Sequence, residues 1–290
     1  MEATQIRIAV TGANGQLGQS LRHIIKEFQG LKIFFFNKKE LDITKIESIE
    51  KVINQCQPNF IINTAAYTQV DRAEEEKEKA FLINEKGVVN LVSICNARDI
   101  GLIHISTDYV FDGSKDQPYL ETDTTNPQGV YGASKLAGEQ AIVQSQLTKY
   151  WIIRTSWLYS PYGHNFHKTM IRLAYERDEL SIVNDQFGSP TNALDLASVI
   201  FEIIPKLDKT TAGVYHYSNT GVTTWYTFAK AIFESRNIDI KVKPIPTTAF
   251  PTLAKRPKFS VLNVNKLENT FSLNIQEWDD SLKNAINSFI

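Results

Sequence analysis

Two groups of residues, far apart in the chain, have the types and spacing that hydride-transfer chemistry requires. Gly12, Gly15 and Gly18 recur every third residue directly after an apolar run, and Tyr131 and Lys135 follow more than a hundred residues later. The glycine spacing is typical of a strand-to-helix turn that receives a dinucleotide pyrophosphate. The second spacing places a phenol and an ammonium on one face of a helix. Together they indicate hydride and proton transfer to or from a carbonyl.

The glycine turn assigns a different task to each glycine. Gly12 permits the tight turn, Gly15 lets the backbone approach the pyrophosphate, and Gly18 allows the helix to pack closely on the sheet. The neighbouring residues expected to contact the same cofactor are Asn14, Gln16 and Leu17. The spacing G-x-x-G-x-x-G differs from the G-x-G-x-x-G of many dehydrogenases, but it meets the same physical requirements.

Tyr131 needs help to act as an acid, because an unperturbed tyrosine has a pKa of ~10. Lys135, one helical turn away, is expected to lower the pKa of the phenol by ~3 units, which corresponds to ~4 kcal/mol. The same ammonium can bond a nicotinamide ribose. Thr107 ends a predicted strand, at the edge where open α/β sheets bind ligands. It is therefore the candidate hydroxyl that holds the substrate carbonyl.

The residues after the second predicted strand report on the choice of cofactor. An acid at this position would bond the ribose 2′-hydroxyl of NAD, but the sequence here is Asn37-Lys38-Lys39. We expect a preference for NADPH, with Lys38 or Lys39 on the 2′-phosphate. The alternatives are that NADH also serves and that both lysines are simply exposed loop residues.

Apolar runs and helical patterns alternate through the first half of the chain. The predicted strands are 6–10, 33–36, 60–63, 102–106 and 151–154, and the predicted helices are 16–28, 46–55 and 78–97. This alternation predicts an α/β fold with a Rossmann-like, doubly wound parallel sheet. We expect a dinucleotide-binding domain over residues 1–156. Residues 157–290 are expected to form a smaller substrate-binding lobe, with some segments returning to the first domain.

Composition excludes several classes of function. The 290 residues carry a net charge of −1, which gives no global field for nucleic acid or an anionic membrane. No apolar stretch approaches the ~20 residues of a membrane span, and no secretory signal is visible, so we expect a cytoplasmic protein. Cys56 and Cys95 are interpreted as small apolar fillers. His164 and His167 are interpreted as a surface pair without a third ligand, so no metal site is expected.

These residues resemble the short-chain dehydrogenase/reductase superfamily, in its extended branch that modifies nucleotide sugars. Five segments are similar to the dTDP-4-dehydrorhamnose reductase family: residues 63–71, 106–113, 154–159, 165–166 and 185–191. Residues 225–229 and 256–257 continue the similarity, which covers nearly the whole chain.

The resemblance implies NADPH- or NADH-dependent reduction of the 4-keto group of a dTDP-sugar, with Thr107, Tyr131 and Lys135 at the catalytic positions. It implies further cofactor contacts from Asp42, Ile43, Ala65, Ala66 and Tyr67. The residues expected to bind the sugar nucleotide are Asp108, Tyr109, Trp157, Asn165 and Arg256. Arg256 is the candidate for the diphosphate, because a guanidinium suits phosphate oxygens. A homodimer is a further expectation.

One departure distinguishes the chain from related 4,6-dehydratases, which carry an acid pair after this threonine in order to eliminate water. Here Thr107-Asp108 is followed by Tyr109, so the second carboxylate is missing. The alternatives left open are another nucleotide-sugar 4-ketoreductase or epimerase, and a non-catalytic NADP-binding regulatory subunit. The beta subunit of methionine adenosyltransferase, which resembles this family, shows that the scaffold can be used for regulation.

Overall fold

Strands and helices alternate along the first half of the chain and continue, with shorter strands, through the second. A computed structural model describes residues 5–285. The strands are Ile6–Thr11 (β1), Leu31–Phe35 (β2), Phe60–Asn63 (β3), Gly101–Thr107 (β4), Tyr150–Thr155 (β5), Leu158–Tyr159 (β6), Glu179–Val183 (β7), Phe187–Gly188 (β8), Thr191–Asn192 (β9), Gly213–Tyr217 (β10), Thr223–Thr224 (β11) and Lys241–Ile245 (β12). The helices are Gln16–Ile24 (α1), Ile46–Cys56 (α2), Val70–Glu75 (α3), Lys77–Phe81 (α4), Gly87–Arg98 (α5), Val130–Val143 (α6), Phe166–Glu176 (α7), Ala193–Ile203 (α8), Trp225–Ser235 (α9), Asn265–Phe271 (α10) and Trp278–Ala285 (α11).

The central sheet has six parallel strands in the order β10-β5-β4-β3-β1-β2. The chain adds β2 on one side of β1 and β3 on the other, so the strand order reverses at β1. In open α/β sheets, ligands bind outside the carboxyl ends of the strands at such a reversal. The predicted doubly wound parallel sheet is confirmed, and the glycine turn follows the strand at which the order reverses.

Both faces of the sheet are covered by helices, which explains why its strands are apolar throughout. Ile8 and Val10 of β1 pack in one core cluster with α1, α8 and α10. Ala9 points to the opposite face, where the second cluster joins α2, α5 and α6. Cys56 and Cys95 are free thiols buried in this second cluster, as predicted.

The second half of the chain contributes to two packing units. α7, α9 and α11 form a third core cluster together with β7, which pairs with β12. From the same half, β10 adds to the central sheet beside β5, and α8 packs against α1. The sheet is therefore completed by a strand that follows α7 in the chain.

The predicted helix 78–97 is interrupted: α4 passes into a π-helical turn, Leu82–Lys86, before α5 begins. The buried Asn84 in this turn donates from Nδ2 to the carbonyl of Tyr67 and to Oγ of Ser134. At Gly138 the backbone of α6 lies so close to the carbonyl of Asn84 that no Cβ fits there. The π-helical turn is therefore the segment against which α6 packs most closely at Gly138. None of the helices between residues 5 and 285 has the length and apolarity that spanning a bilayer requires.

Candidate active site

The carboxyl ends of the central strands open into a cavity of about 2300 Å³ that extends to the third core cluster. Most of the residues singled out from the sequence line this one cavity. They are Gly12, Asn14, Gly15, Gln16, Leu17, Asn37, Lys38, Lys39, Asp42, Ile43, Ala65, Ala66, Thr107, Asp108, Tyr109, Tyr131, Lys135, Trp157 and Arg256. The glycine turn and the phenol–ammonium pair, far apart in sequence, therefore share one space.

The glycine turn has the geometry of an anion cradle. Gly12 has φ +65°, and a Cβ there would lie 2.6 Å from the amide nitrogen of Ala65, so a side chain is excluded. Gly15 is the N-cap residue of α1, and no side chain caps the first N–H groups of this helix. A Cβ on Gly15 would meet the carbonyl of Gly12 at 3.2 Å and otherwise enter the cavity. The exposed helix N-terminus and the missing side chain leave room for a pyrophosphate.

Gly18, the third glycine of the predicted cofactor-binding turn, does not itself line the cavity. A Cβ at this position would lie 2.7 Å from the carbonyl oxygen of Gly12 and from Cα of Ala13. The close packing that requires a glycine here is thus against the turn itself. Gly18 supports the cradle from behind.

At the end of β2, Asn37 organises the loop that follows. Its Oδ1 accepts from the backbone N–H of Lys39 at 2.8 Å, and its own N–H donates to Oε2 of Glu40 at 2.8 Å. Lys38 and Lys39 are exposed on the rim of the cavity. This loop therefore presents two ammonium groups, and Asn37 in place of an acid, to a ligand in the cradle.

Two predicted contact residues, Tyr67 and Asn165, are turned away from the cavity. Tyr67 is buried in a small cluster with Ala73 and Ala80, and its N–H donates to Oδ1 of Asn84 at 2.8 Å. Oδ1 of Asn165 caps α7, and its Nδ2 donates to Oε1 of Gln16 at 2.9 Å. The Tyr67 hydroxyl donates to Oε2 of Glu76, and neither Tyr67 nor Asn165 lines the cavity, so their ligand contacts stay predictions without support from this geometry.

Thr107, at the end of β4, and Tyr131 line the same part of the cavity, on either side of Tyr109. Thr107 Oγ1 donates to Oδ1 of Asp108 at 3.0 Å and accepts from the N–H of Tyr109 at 3.2 Å. The rings of Tyr109 and Tyr131 pack edge to face with centroids 5.6 Å apart. These contacts fix the phenol beside the threonine, as the predicted chemistry requires.

The predicted lowering of the Tyr131 pKa is wrong for this structure. Burial raises the pKa of Tyr131 to about 12, and the charge of Asp108 adds to this, while the hydrogen bond with Thr107 opposes it. Lys135 does not offset this effect of burial on the phenol, and its Nζ donates to the carbonyl of Ile105 at 2.6 Å. Burial also lowers the pKa of Lys135 to about 8, against the opposing charge of Glu139. Tyr131 is therefore a protonated phenol at neutral pH, which is the form that a proton donor needs.

Asp108 is the carboxylate next to this pair, and it is buried. Burial raises the pKa of Asp108 to about 6, although hydrogen bonds from Ser260 and Thr107 oppose the shift. A carboxylate that costs energy to bury is typical of a functional site rather than of a packed core.

The far wall of the cavity is aromatic. Trp157 stacks on Trp225 with ring centroids 3.5 Å apart, and Phe166 packs at 4.6 Å from Trp225. Trp225 Nε1 donates to Oε1 of Gln186 at 3.1 Å. Trp157 has φ +46°, a left-handed conformation that is rare for a bulky residue. Of this wall only Trp157 was predicted from the sequence, although Gln186 and Trp225 lie in segments on which the resemblance rests.

Arg256 lies at the cavity wall in an ion pair. Its Nη1 and Nη2 donate to Oδ1 and Oδ2 of Asp71 at 3.0 and 2.7 Å. The Arg256 guanidinium beside Asp71 holds the pKa of that carboxyl below its usual value. Its predicted contact with a diphosphate would thus be made by a guanidinium that Asp71 already orients.

The prediction that His164 and His167 form a surface pair is correct for His164 but wrong for His167. His164 is exposed, but His167 is buried, so the two do not share a surface. Across residues 5–285, no three histidine, cysteine or acidic side chains converge in the manner of a metal site.

The chain is similar to one enzyme family over almost its whole length. A family model described as the RmlD substrate binding domain matches residues 6–290. A dTDP-4-dehydrorhamnose reductase from Aggregatibacter actinomycetemcomitans is 41% identical over 288 residues, which cover 96% of this chain and 97% of that protein. The dTDP-4-dehydrorhamnose reductase of Escherichia coli K12 is also 41% identical, over 292 residues and 97% of both chains.

Solved structures agree with the fold. A dTDP-4-dehydrorhamnose reductase from Bacillus anthracis, crystallised in complex with NADP, has a TM-score of 0.92 and 42% identity and covers 98% of this chain and 99% of that chain. A dTDP-glucose 4,6-dehydratase from the same organism, in complex with NAD, covers 97% of this chain and 96% of that chain with a TM-score of 0.80. At 19% identity, the second likeness bears on the fold alone.

Proposed function

This chain belongs to the dTDP-4-dehydrorhamnose reductase family, and we propose that it reduces the 4-keto group of dTDP-4-dehydro-6-deoxy-L-mannose with NADPH to give dTDP-L-rhamnose for cell-surface polysaccharide biosynthesis. The observation that carries this proposal is that Thr107, Tyr131 and Lys135 line the same cavity as the glycine turn. A protonated phenol beside a cofactor cradle is what a ketone reduction needs.

In this reaction the reduced nicotinamide supplies the hydride. Tyr131 donates its proton to the ketone oxygen as negative charge develops there, and Thr107 holds that oxygen in place. Lys135 stabilises the phenolate that remains and bonds the nicotinamide ribose. For the last role its ammonium must also reach the cofactor from its position against the carbonyl of Ile105.

The residue after Asp108 supports reduction over dehydration. An elimination of water would need a second carboxylate, and Tyr109 occupies that position in the cavity wall. The ring of Tyr109 packs against Tyr131 instead. The site thus has a proton donor for a ketone but lacks the acid pair of the related dehydratases.

The sugar nucleotide lies, in this proposal, between the hydroxyl pair and the aromatic wall. Asp108, Tyr109 and Trp157 contact the deoxysugar, and Arg256 binds the diphosphate while Asp71 orients its guanidinium. These assignments rest on the cavity that the residues share and on the resemblance to the family.

Cofactor selection, assembly and organisation complete the proposal. Lys38 on the cavity rim favours NADPH through the 2′-phosphate, and no acid stands at Asn37 to oppose it. We propose a cytoplasmic homodimer, in which residues 1–156 bind the dinucleotide and residues 157–290 bind mainly the sugar nucleotide.

A direct assay tests the function. The purified chain is incubated with NADPH and dTDP-4-dehydro-L-rhamnose, NADPH absorbance is followed, and the product is identified by NMR. We expect consumption that depends on the sugar nucleotide and a single product, dTDP-L-rhamnose. A product with the opposite configuration at C4, or no consumption of NADPH, would contradict the proposal.

A further inference from the structure

We propose that His104 is a positioning residue, which holds the Lys135 ammonium from behind through a buried hydrogen-bond chain to Asn63 and Thr11. The inference rests on the proposed function in one respect, namely that Lys135 acts on the cofactor ribose and on the Tyr131 phenolate. His104 itself does not line the cavity, whereas its neighbour Ile105 does. Any effect of the imidazole must therefore pass through Lys135.

The chain of contacts is continuous and buried. His104 Nε2 lies 3.3 Å from Lys135 Nζ, and His104 Nδ1 lies 2.9 Å from Nδ2 of Asn63. Asn63 Oδ1 accepts from Thr11 Oγ1 at 2.7 Å, and Thr11 Oγ1 accepts from the N–H of Ala65 at 3.3 Å. His104 is fully buried, and Asn63 is almost so. The chain links the ammonium in α6 with the end of β1, where the cofactor turn begins.

The numbers of donors and acceptors allow two arrangements of the protons in this hydrogen-bond chain. If the Asn63 amide donates to Nδ1, a neutral imidazole carries its proton on Nε2, and only an uncharged Lys135 amine can accept it. If the amide and the imidazole are reversed, Nδ1 donates to the Asn63 oxygen, and Nε2 offers a lone pair to the ammonium. The imidazole can therefore form a hydrogen bond with Lys135 whether the lysine is charged or neutral.

The imidazole can do this because it stays neutral itself. Burial, and next the charge of Lys135, hold the pKa of His104 well below its usual value. A neutral ring reverses its tautomer without placing a second positive charge beside the lysine. A histidine that only fills space in a core would not need to change its tautomer in this way.

The charged side chains near Lys135 are engaged elsewhere, so His104 is the side chain that contacts its nitrogen. Glu139 lies on the next turn of α6, but Arg154 on β5 binds it through Nε–Oε1 at 3.0 Å and Nη2–Oε2 at 2.6 Å, and Ser106 also donates to it. Asn63, from β3, is neutral. Asp108 and Tyr131 face the cavity end of the site. Glu139 is thus already engaged, and the contacts of the Lys135 nitrogen are the carbonyl of Ile105 and the imidazole.

Lysine labelled with ¹³C at Cε allows Lys135 to be titrated by NMR in the full-length chain without cofactor, with its signal assigned by Lys135→Met. A bond to a charged donor is stronger than one between neutral groups, so the imidazole favours the ammonium. We expect His104→Phe and His104→Leu to lower the pKa of Lys135 by about one unit. His104→Gln, whose amide oxygen can still accept, should restore part of the shift. The alkaline limb of kcat/KM should move to lower pH in the same order.

His167→Gln is the matched control, because His167 is also a buried histidine but lies in α7, away from Lys135. It should leave the Lys135 titration unchanged. An unchanged Lys135 pKa in the folded Phe or Leu variant would overturn the inference, as would an equal shift in the Gln variant. Failure of the proposed function would show separately, as a wild-type chain that does not reduce the sugar nucleotide while the NMR shift persists.

Discussion

At the residue scale, the acid–base pair is governed by burial more than by the spacing of its members. Four residues of separation put Tyr131 and Lys135 on one face of α6, but the lysine side chain extends to β4 and bonds the carbonyl of Ile105. Burial then raises the pKa of the phenol and lowers that of the ammonium. Burial thus shifts the pKa values of the two groups in opposite directions, and in both cases it favours the uncharged form.

Asp108 should make stability depend on pH. Its pKa in the fold is about 6, against ~3.9 when unfolded, so the native state binds the extra proton and stability falls as pH rises from 4 to 6. Asp108→Asn removes this loss. Its free energy of unfolding relative to wild type should increase by roughly 2–3 kcal/mol between pH 4 and pH 7 in urea titrations.

The control for this measurement is Asp116→Asn, which changes an exposed carboxylate. Its difference from wild type should vary little with pH. A difference between Asp108→Asn and wild type that is equally flat would show that the buried carboxyl does not titrate as described.

Lys38 should decide between the two nicotinamide cofactors. Lys38→Glu places a like charge beside the 2′-phosphate, so kcat/KM for NADPH should fall at least ~10-fold, while that for NADH changes much less. Lys51→Glu, an equal charge reversal at an exposed position of α2 away from the cavity, should affect neither. Equal efficiency with both cofactors in the wild type would end this assignment.

The residues that line the cavity could be predicted from the sequence only where no neighbouring group engages the side chain. The positions of Gly12, Thr107 and Tyr131 follow from motif and strand end. Tyr67 and Asn165 lie in equally recognisable segments, but their polar atoms serve Asn84 and the N-terminus of α7. Such local capping has no distinct signature in one sequence.

At the element scale, the turn between β1 and α1 combines two different requirements for glycine. Gly12 adopts positive φ against the backbone of Ala65, whereas Gly15 has φ −74° and leaves space in the cavity. Gly12 is needed for the conformation of the turn itself. Gly15 is needed to keep the space in which we expect the pyrophosphate to bind.

Substitutions should separate these requirements. Gly12→Ala combines a left-handed Cβ penalty of about 1–2 kcal/mol with a backbone clash, so it should lower the unfolding temperature strongly. Gly30→Ala, at φ +79° with open space around it, should show the conformational penalty alone. Gly15→Ala should keep most of the stability but weaken NADPH binding, as measured by calorimetry. Wild-type affinity in Gly15→Ala would place the pyrophosphate elsewhere.

The strands of the first half were predictable because two-sided burial makes them continuous apolar runs. The predicted helix 78–97 was less accurate, because it contains a π-helical turn in which the carbonyl of Asn84 lies against Gly138 of α6. A tertiary contact of that kind cannot be read from helical periodicity.

At the scale of the whole molecule, the dinucleotide half is completed by the other half of the chain. β10 covers the edge of β5, and α8 covers α1 with Ile200 and Phe201 in the first core cluster. The sequence suggested interleaving, but the strand order could not be derived from it, because the pairing of β10 with β5 joins residues about sixty positions apart.

A fragment of residues 1–156 should therefore not fold as an independent unit. It leaves one strand edge unpaired and the apolar side of α1 exposed, since Tyr215 and Tyr217 of β10 are also missing from its core. We expect no cooperative thermal transition and weak near-ultraviolet circular dichroism for the fragment, beside a cooperative transition for the full chain. A cooperative, NADPH-binding fragment would show that the first half is self-sufficient.

The most direct measurement of the central claim is the turnover of Tyr131→Phe with NADPH and dTDP-4-dehydro-L-rhamnose. Loss of the proton donor should lower kcat by about 10²–10⁴-fold, while the dissociation constant for NADPH stays within about twofold of wild type, because the ring and its packing remain. Tyr175→Phe, at an exposed tyrosine of α7, should retain full activity. A Tyr131→Phe variant that reduces the ketone at the wild-type rate would contradict the assignment of this phenol as the acid.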